Sequence, residues 1–254
     1  MRVEDGPLLF ARYAYPPNSL GLCGADTPRT LLQYGDARES DGGLAELART
    51  FEGAWPYLSL IAAANRIDDP LDPRVVEAYW VGNELLAHVR PADLARHVED
   101  RFGRRLGRAQ ETVVAAVAAG AVPHHCFHVF AVYPWFGLLR TGVVDEPLRV
   151  LDQCRTTPAV VAAADGDSLD VFARPLIWSD GRLGLGAPAL RTVRWRDDGL
   201  AFVPAPSPGD LVSLHWDFVC DVLSADAARR LEQVTRRAIA SVNAAGAASG
   251  QDAS

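Results

Sequence analysis

Residues 153–218 read QCRTTPAVVAAADGDSLDVFARPLIWSDGRLGLGAPALRTVRWRDDGLAFVPAPSPGDLVSLHWDF, and this stretch decides the fold. Short apolar runs are cut at Asp165-Gly166, Asp180-Gly181, Asp198-Gly199 and Pro208-Gly209. Apolar segments with turn pairs between them predict a small β-barrel or sandwich, because each pair reverses a strand after a few residues. GRLGLGAP (residues 181–188) is Gly-rich but lies between short strands rather than at a helix start, so it does not read as a phosphate loop.

C-terminal to this stretch, Ser224 is placed to cap a helix that carries Leu231, Val234, Ala238 and Val242 on one side. The last residues lack an apolar anchor, so 247–254 is expected to be a disordered tail. N-terminal to it, the texture is helical. Asp41 precedes LAELARTF, and Asp72-Pro73 joins a capping side chain to an imide that tolerates the first helical position. A helix is expected from there through RVVEAYWVGNELLAHV, and another from Pro91 to about Gly103. Ala109–Ala119 reads as a helix apolar nearly all round, hence buried. Tyr13–Asp26 (YAYPPNSLGLCGAD), with Pro-Pro and two Gly, reads as an ordered loop. The expected fold is α+β, with a helical domain over 1–150 and a β-barrel plus C-terminal helix over 151–246.

Composition excludes several classes. The 254 residues are 49% hydrophobic and 22% charged, which is a globular composition. A net charge of −7 argues against a protein held to nucleic acid by phosphate contacts. All 25 basic residues are Arg, which reads as codon bias rather than chemistry. The longest apolar stretch, Val113–Val122, is too short to span a membrane. The first residues, MRVEDGPLLF, carry acids where a signal peptide has its apolar centre, so the expected location is the cytoplasm and the four cysteines are expected as thiols.

Candidate ligands are dense in two places. His124, His125, Cys126 and His128 fall within five residues. In a helix His124 and His128 lie one turn apart and can chelate a metal; in a strand His124, Cys126 and His128 share a face. The segment lacks the acid of an HExxH site and also reads as aromatic core with polar caps, the reading favoured here. Cys23 lies between Gly21 and Gly24 and reads either as an approachable sulfur or as a thiol packed in a turn. Cys220 reads as core.

The β segment also resembles a known family. Cys154-Arg155-Thr156-Thr157-Pro158 leads to Val160-Val161 and the Asp165-Gly166 turn. Pro208-Gly209-Asp210-Leu211-Val212 enters Leu214-His215-Trp216-Asp217-Phe218, and a helix follows from Ser224. This order and spacing resemble the HypC/HupF chaperones of [NiFe]-hydrogenase assembly, small OB-like barrels, over about residues 153–240. As a whole the chain also looks like actinobacterial proteins encoded beside hydrogenase genes.

The resemblance implies a carrier rather than a catalyst. Cys154 and His215 match the residues with which the family holds an iron bearing cyanide and carbon monoxide, and the implied partners are maturation proteins or the hydrogenase large subunit. Thiolate and imidazole suit such iron. Arg155 is expected to help hold the thiolate. Two departures are visible: the family's Cys follows the initiator Met, and Ala159 stands where the family has Gly. Apart from the resemblance, Cys154 also reads as a buried small hydrophobe and His215 as a hydrogen-bonded strand residue. The alternatives are a metal-free interaction module on the same barrel, and a Cys-dependent enzyme with Cys154 as nucleophile beside His215 and Asp217.

Overall fold

A computed structural model of the chain describes residues 5–106 and 109–251. In chain order the N-terminal part forms α1 (Gly6–Ser19), α2 (Pro28–Ala37), α3 (Gly42–Arg49), α4 (Trp55–Ala64) and α5 (Pro73–Trp80). After a short 3-10 turn at Glu84–His88 come α6 (Pro91–Leu106), α7 (Ala109–Ala118) and α8 (His125–Phe127), which passes directly into a π-helical turn, His128–Val132. Two helices, α9 (Trp135–Arg140) and α10 (Asp145–Cys154), lead to the strands.

The capping residues act as expected. Asp41 accepts from the amides of Gly43 and Leu44, and Asp72 accepts from Arg74. The helix after Asp72 stops at Trp80 rather than Val89, because Gly82 takes φ +93° and Asn83 caps the next turn. The segment from Ala109 is not buried all round. Val113, Ala116 and Val117 face inward while Val114 is half exposed.

Tyr13–Asp26 was expected as a loop, yet α1 runs through Pro16 and Pro17 to Ser19. Both prolines lie near the helix end and are buried with Tyr13, Ala14 and Tyr15. Tertiary burial of this face outweighs the missing amide donors.

The strands are β1 (Thr157–Asp165), β2 (Ser168–Ala173), β3 (Leu176–Ser179), β4 (Arg182–Leu185), β5 (Ala189–Arg194), β6 (Arg196–Asp197), β7 (Leu200–Ala201), β8 (Leu211–His215) and β9 (Phe218–Val222). Five of them close in the order β1-β2-β5-β9-β8, with β8 pairing back onto β1. All pairs are antiparallel except β5 with β9, which meet in parallel at Arg194 and Phe218. That order is a Greek-key barrel of the OB type. Two small hairpins, β3-β4 and β6-β7, are inserted around β5. In both hairpins the Asp-Gly pair takes positive φ at each residue (Asp180 51°, Gly181 71°; Asp198 53°, Gly199 81°), the two-residue turn that matches strand twist.

The chain then forms α11 (Ala225–Gln251), begun by the Ser224 hydroxyl accepting from the Ala227 amide at 3.1 Å. The expected tail from 247 is corrected as far as Gln251, which is still helical; 252–254 lie outside the described residues. Leu231, Val242 and Ala245 on this helix are buried, so its inward face continues to the last turns.

Helices and barrel are fastened together. On α1, Arg12 pairs with Asp221 at 2.8 Å, the Tyr13 hydroxyl meets the Ser213 hydroxyl at 2.8 Å, and Tyr15 donates to Asp197 at 2.5 Å. On α11, Asn243 exchanges two hydrogen bonds with the Leu183 backbone at 2.8 and 2.9 Å, while Arg230 pairs with Glu77 at 2.7 Å. One apolar core runs from Leu9 to Ala245 across both parts. Among the described residues, no helix is long and apolar enough to cross a membrane.

Candidate metal centre

Cys154 is the last residue of α10, where the helix gives way to the extended Arg155 and the chain turns into β1. His215 is the last residue of β8. His125 opens α8, just before the π-helical turn, a local underwinding that recurs at functional sites. These three elements converge. One ligand atom from each of His125, Cys154 and His215 lies within 4.8 Å of the others, and all three residues are buried.

Hydrogen bonds decide which lone pairs are available. His215 Nδ1 lies 2.7 Å from the Tyr13 carbonyl oxygen, which can only accept, so Nδ1 carries the proton. His215 Nε2 is therefore a bare lone pair, and it is buried without a hydrogen-bond partner among the described residues. His125 Nε2 donates to the Cys154 carbonyl oxygen at 2.8 Å. Its Nδ1 faces the Tyr79 hydroxyl at 3.2 Å, a group that also reaches the Gly53 carbonyl oxygen at 3.2 Å. Trp80 holds both imidazoles, with ring centres 4.5 Å from His125 and 5.6 Å from His215, and the two imidazoles stand 4.9 Å apart at 73°.

The site carries no charge of its own. Burial pushes the Cys154 thiol up to about 12, nearby Cys23 adds to that, and the Trp216 indole opposes it. Burial lowers His215 to about 4 and holds His125 well below the usual imidazole range. Arg155 does not assist the thiolate as expected. Its side chain, 1% exposed, turns away to Asp152 at 2.8 Å and the Arg174 carbonyl oxygen at 2.5 Å. The Cys-His-Asp geometry is also not assembled, since His215 Nδ1 goes to Tyr13 and Asp217 is held by Gln153 and Arg191.

The three ligands open onto a cavity of about 820 Å³ that also reaches Cys23, His128, Trp216 and Asp217. Cys23 thus shares the cavity but stands outside the three-residue cluster. Its carbonyl oxygen is clamped by Asn18 Nδ2 at 2.7 Å, and burial raises its thiol to about 12. His128 turns Nδ1 to the Tyr57 hydroxyl at 3.2 Å, and His124 uses Nδ1 to cap α8 by accepting from the Cys126 amide at 3.0 Å. The i, i+4 histidine pair is therefore core and cap, and the segment being helical removes the strand reading; the middle residue, His125, joins the cluster. Cys126 and Cys220 are buried in the core.

One feature had no signal in the sequence. His215 and Phe218 are a directly paired couple, so Trp216 and Asp217 are a two-residue turn rather than strand. Both take positive φ, 49° and 56°. The two inserted hairpins place Asp-Gly in this role, whereas here a bulky Trp occupies left-handed backbone, at a cost of order 1–3 kcal/mol. The turn is pinned onto α10. Trp216 donates its amide to the Gln153 carbonyl oxygen at 2.8 Å, Gln153 Nε2 donates to Asp217 at 2.6 Å, and Arg191 bridges Asp217 to Asp152.

This arrangement is a neutral three-donor group, one sulfur and two imidazoles, that can hold a metal ion with further positions left open toward the cavity. The donors fit a metal because the cluster holds a buried, unpartnered lone pair on His215 Nε2 and a sulfur whose proton a cation would displace. No curated protein and no solved structure matches the chain. The match to the family of unknown function DUF6390 covers residues 2–249, and the chain belongs to that family.

Proposed function

We propose that this chain is an accessory protein of [NiFe]-hydrogenase maturation, which binds or hands over the iron unit bearing cyanide and carbon monoxide. The observation that carries the reading is the convergence of His125, Cys154 and His215, one ligand atom of each within 4.8 Å of the others, together with the bare, buried Nε2 of His215. Resemblance of the barrel segment to HypC/HupF chaperones selects iron among the metals a Cys-His-His group accepts. The cavity supports it as well, because about 820 Å³ far exceeds the space a bare ion needs and leaves room for ligands brought with the metal.

In this reading each residue has a stated task. Cys154 gives up its thiol proton on ligation. His215 offers Nε2 at once, because Tyr13 already holds its other nitrogen. His125 offers a nitrogen after releasing one of its two hydrogen bonds. Trp80 and Tyr13, stacked at 5.4 Å, keep water from the buried side. The metal, when bound, supplies only the cargo. The implied setting is the cytoplasm, where thiols stay reduced, and the implied partners are maturation proteins or the hydrogenase large subunit.

Anaerobic isolation of the full chain from cells that assemble a [NiFe]-hydrogenase, followed by iron analysis and infrared spectroscopy, tests the proposal. The expected result is bound iron with cyanide and carbonyl stretching bands. Isolated protein with neither would overturn it.

A second reading, docking by the barrel without metal, is favoured by one observation. Val160, Phe172 and Leu190 are paired neighbours on β1, β2 and β5, and all point outward, at 40%, 48% and 58% exposure. Three adjacent apolar side chains on one face are suited to a protein partner. Phe172→Asp is expected to abolish capture of a maturation partner in a pull-down that Cys154→Ala and His215→Ala leave intact.

A further inference from the structure

The Trp216-Asp217 turn has a tight, non-glycine geometry that a hairpin of this length does not itself require, since Asp-Gly closes two others in the same chain. Its side chain therefore calls for a reason. Trp216 lines the cavity beside Cys154 and His215. Its indole Nε1 is buried with no partner at hydrogen-bond distance among the described residues, an unfavourable state for an N–H removed from water, yet it stands near enough to the Cys154 sulfur to oppose the rise of that thiol. The turn cannot drift from the sulfur. The Trp216 amide is bonded to the carbonyl of Gln153, the residue next to Cys154, and the Gln153, Arg191 and Asp152 side chains fasten Asp217 to the same helix end.

We infer that Trp216 is a positioning residue of the metal centre, whose indole N–H donates a hydrogen bond to the Cys154 sulfur once that sulfur is a metal-bound thiolate. This rests on the metal-binding reading above but goes beyond it to a residue that does not touch the metal. A protonated thiol is a weak acceptor and leaves the indole N–H poorly served. A thiolate is a strong one, so ligation creates the acceptor that the indole lacks. The bond would withdraw electron density from the sulfur, stabilise the anion against its proton, and soften its donation to the metal.

Co(II) is the probe, because its thiolate charge-transfer band reports sulfur donation directly. Trp216→Phe keeps the ring and removes the N–H. The expected result is a charge-transfer band moved to longer wavelength together with Co(II) affinity about 10-fold or more weaker, the range of lost outer-sphere partners. A band at the unchanged wavelength overturns the inference, even where affinity falls, since a merely structural role would weaken binding without altering sulfur donation. If wild-type protein shows no thiolate-to-Co(II) band, it is the metal reading that fails. If Trp216→Phe does not fold, the unaltered chain decides the question. With indole-15N tryptophan and 113Cd(II), a scalar coupling between cadmium and one of the six indole protons is expected through N–H···S. Bound cadmium with no such coupling overturns the inference.

Discussion

Cys154→Ala is expected to lower affinity for Zn(II) or Fe(II) by more than about 100-fold, beyond the range that second-sphere losses produce. The variant removes the one donor whose charge compensates a cation, since the two imidazoles of the cluster are neutral. Cys23→Ala is expected to change affinity only a few-fold, because Cys23 shares the cavity but not the cluster. The same variants separate binding from folding. Metal at 100 times its dissociation constant stabilises the wild type by about 2.7 kcal/mol, which raises Tm by about 5–10 °C in a chain of this size. Cys154→Ala should keep the metal-free Tm within a few degrees, because the change removes one small atom at the cavity edge of the core, and should show no metal-induced rise. A Cys154→Ala protein that still gains stability with metal would place the binding elsewhere.

The proton balance of that binding follows from the same geometry. Burial holds Cys154 at about 12 and His215 at about 4, so between roughly pH 5 and 9 ligation releases one proton, the thiol's. Affinity therefore rises about tenfold per pH unit across that window. Calorimetry in buffers of different ionisation enthalpy reads the released proton directly.

What the sequence showed of this protein was what short-range chemistry determines. Asp41, Asp72 and Ser224 cap helices because a side-chain oxygen two or three residues before an amide meets it whatever the rest of the fold does. Asp180-Gly181 and Asp198-Gly199 turn because Gly tolerates positive φ. The spacing of Cys154 and His215 survived in the fold as two donors on one cavity. Features set by long-range packing were not legible. Pro16-Pro17 stays helical because its face is buried, and Trp216-Asp217 turns without glycine because α10 pins it. His125 rather than His124 or His128 joins the cluster because His124 spends Nδ1 capping α8 and His128 turns Nδ1 to Tyr57, choices made by distant packing rather than by spacing. The C-terminal helix continues past residue 246 because α11 has an apolar face to bury up to Ala245, and the later residues extend a helix already nucleated.

Loss of the metal-free fold between about pH 5.5 and 4 is the expected consequence of packing four histidines into the core. His124, His125, His128 and His215 are all buried. Burial lowers His124 and His128 to about 3 and His215 to about 4, and holds His125 well below its ordinary range. In the unfolded chain each would titrate near 6.5. A depressed folded-state value means that the unfolded chain binds more protons in the interval between, so stability is full above pH 6.5 and falls as pH drops. Each such histidine removes about 1.36 kcal/mol per pH unit below 6.5, and the partly buried His97, also lowered to about 4, adds a fifth, so together they remove roughly 7 kcal/mol per unit. A domain with about 5–15 kcal/mol of stability exhausts it within about one to two units. Circular dichroism against pH should show one steep transition with uptake of about five histidine protons, His97 included, and His128→Gln should lower the uptake by about one. Zn(II) should displace the transition to lower pH, by an amount that Cys154→Ala removes. A metal-free chain that keeps its near-ultraviolet spectrum down to pH 4 would mean that these imidazoles accept protons inside the fold, and the neutral, dehydrated character of the metal centre would fall with it.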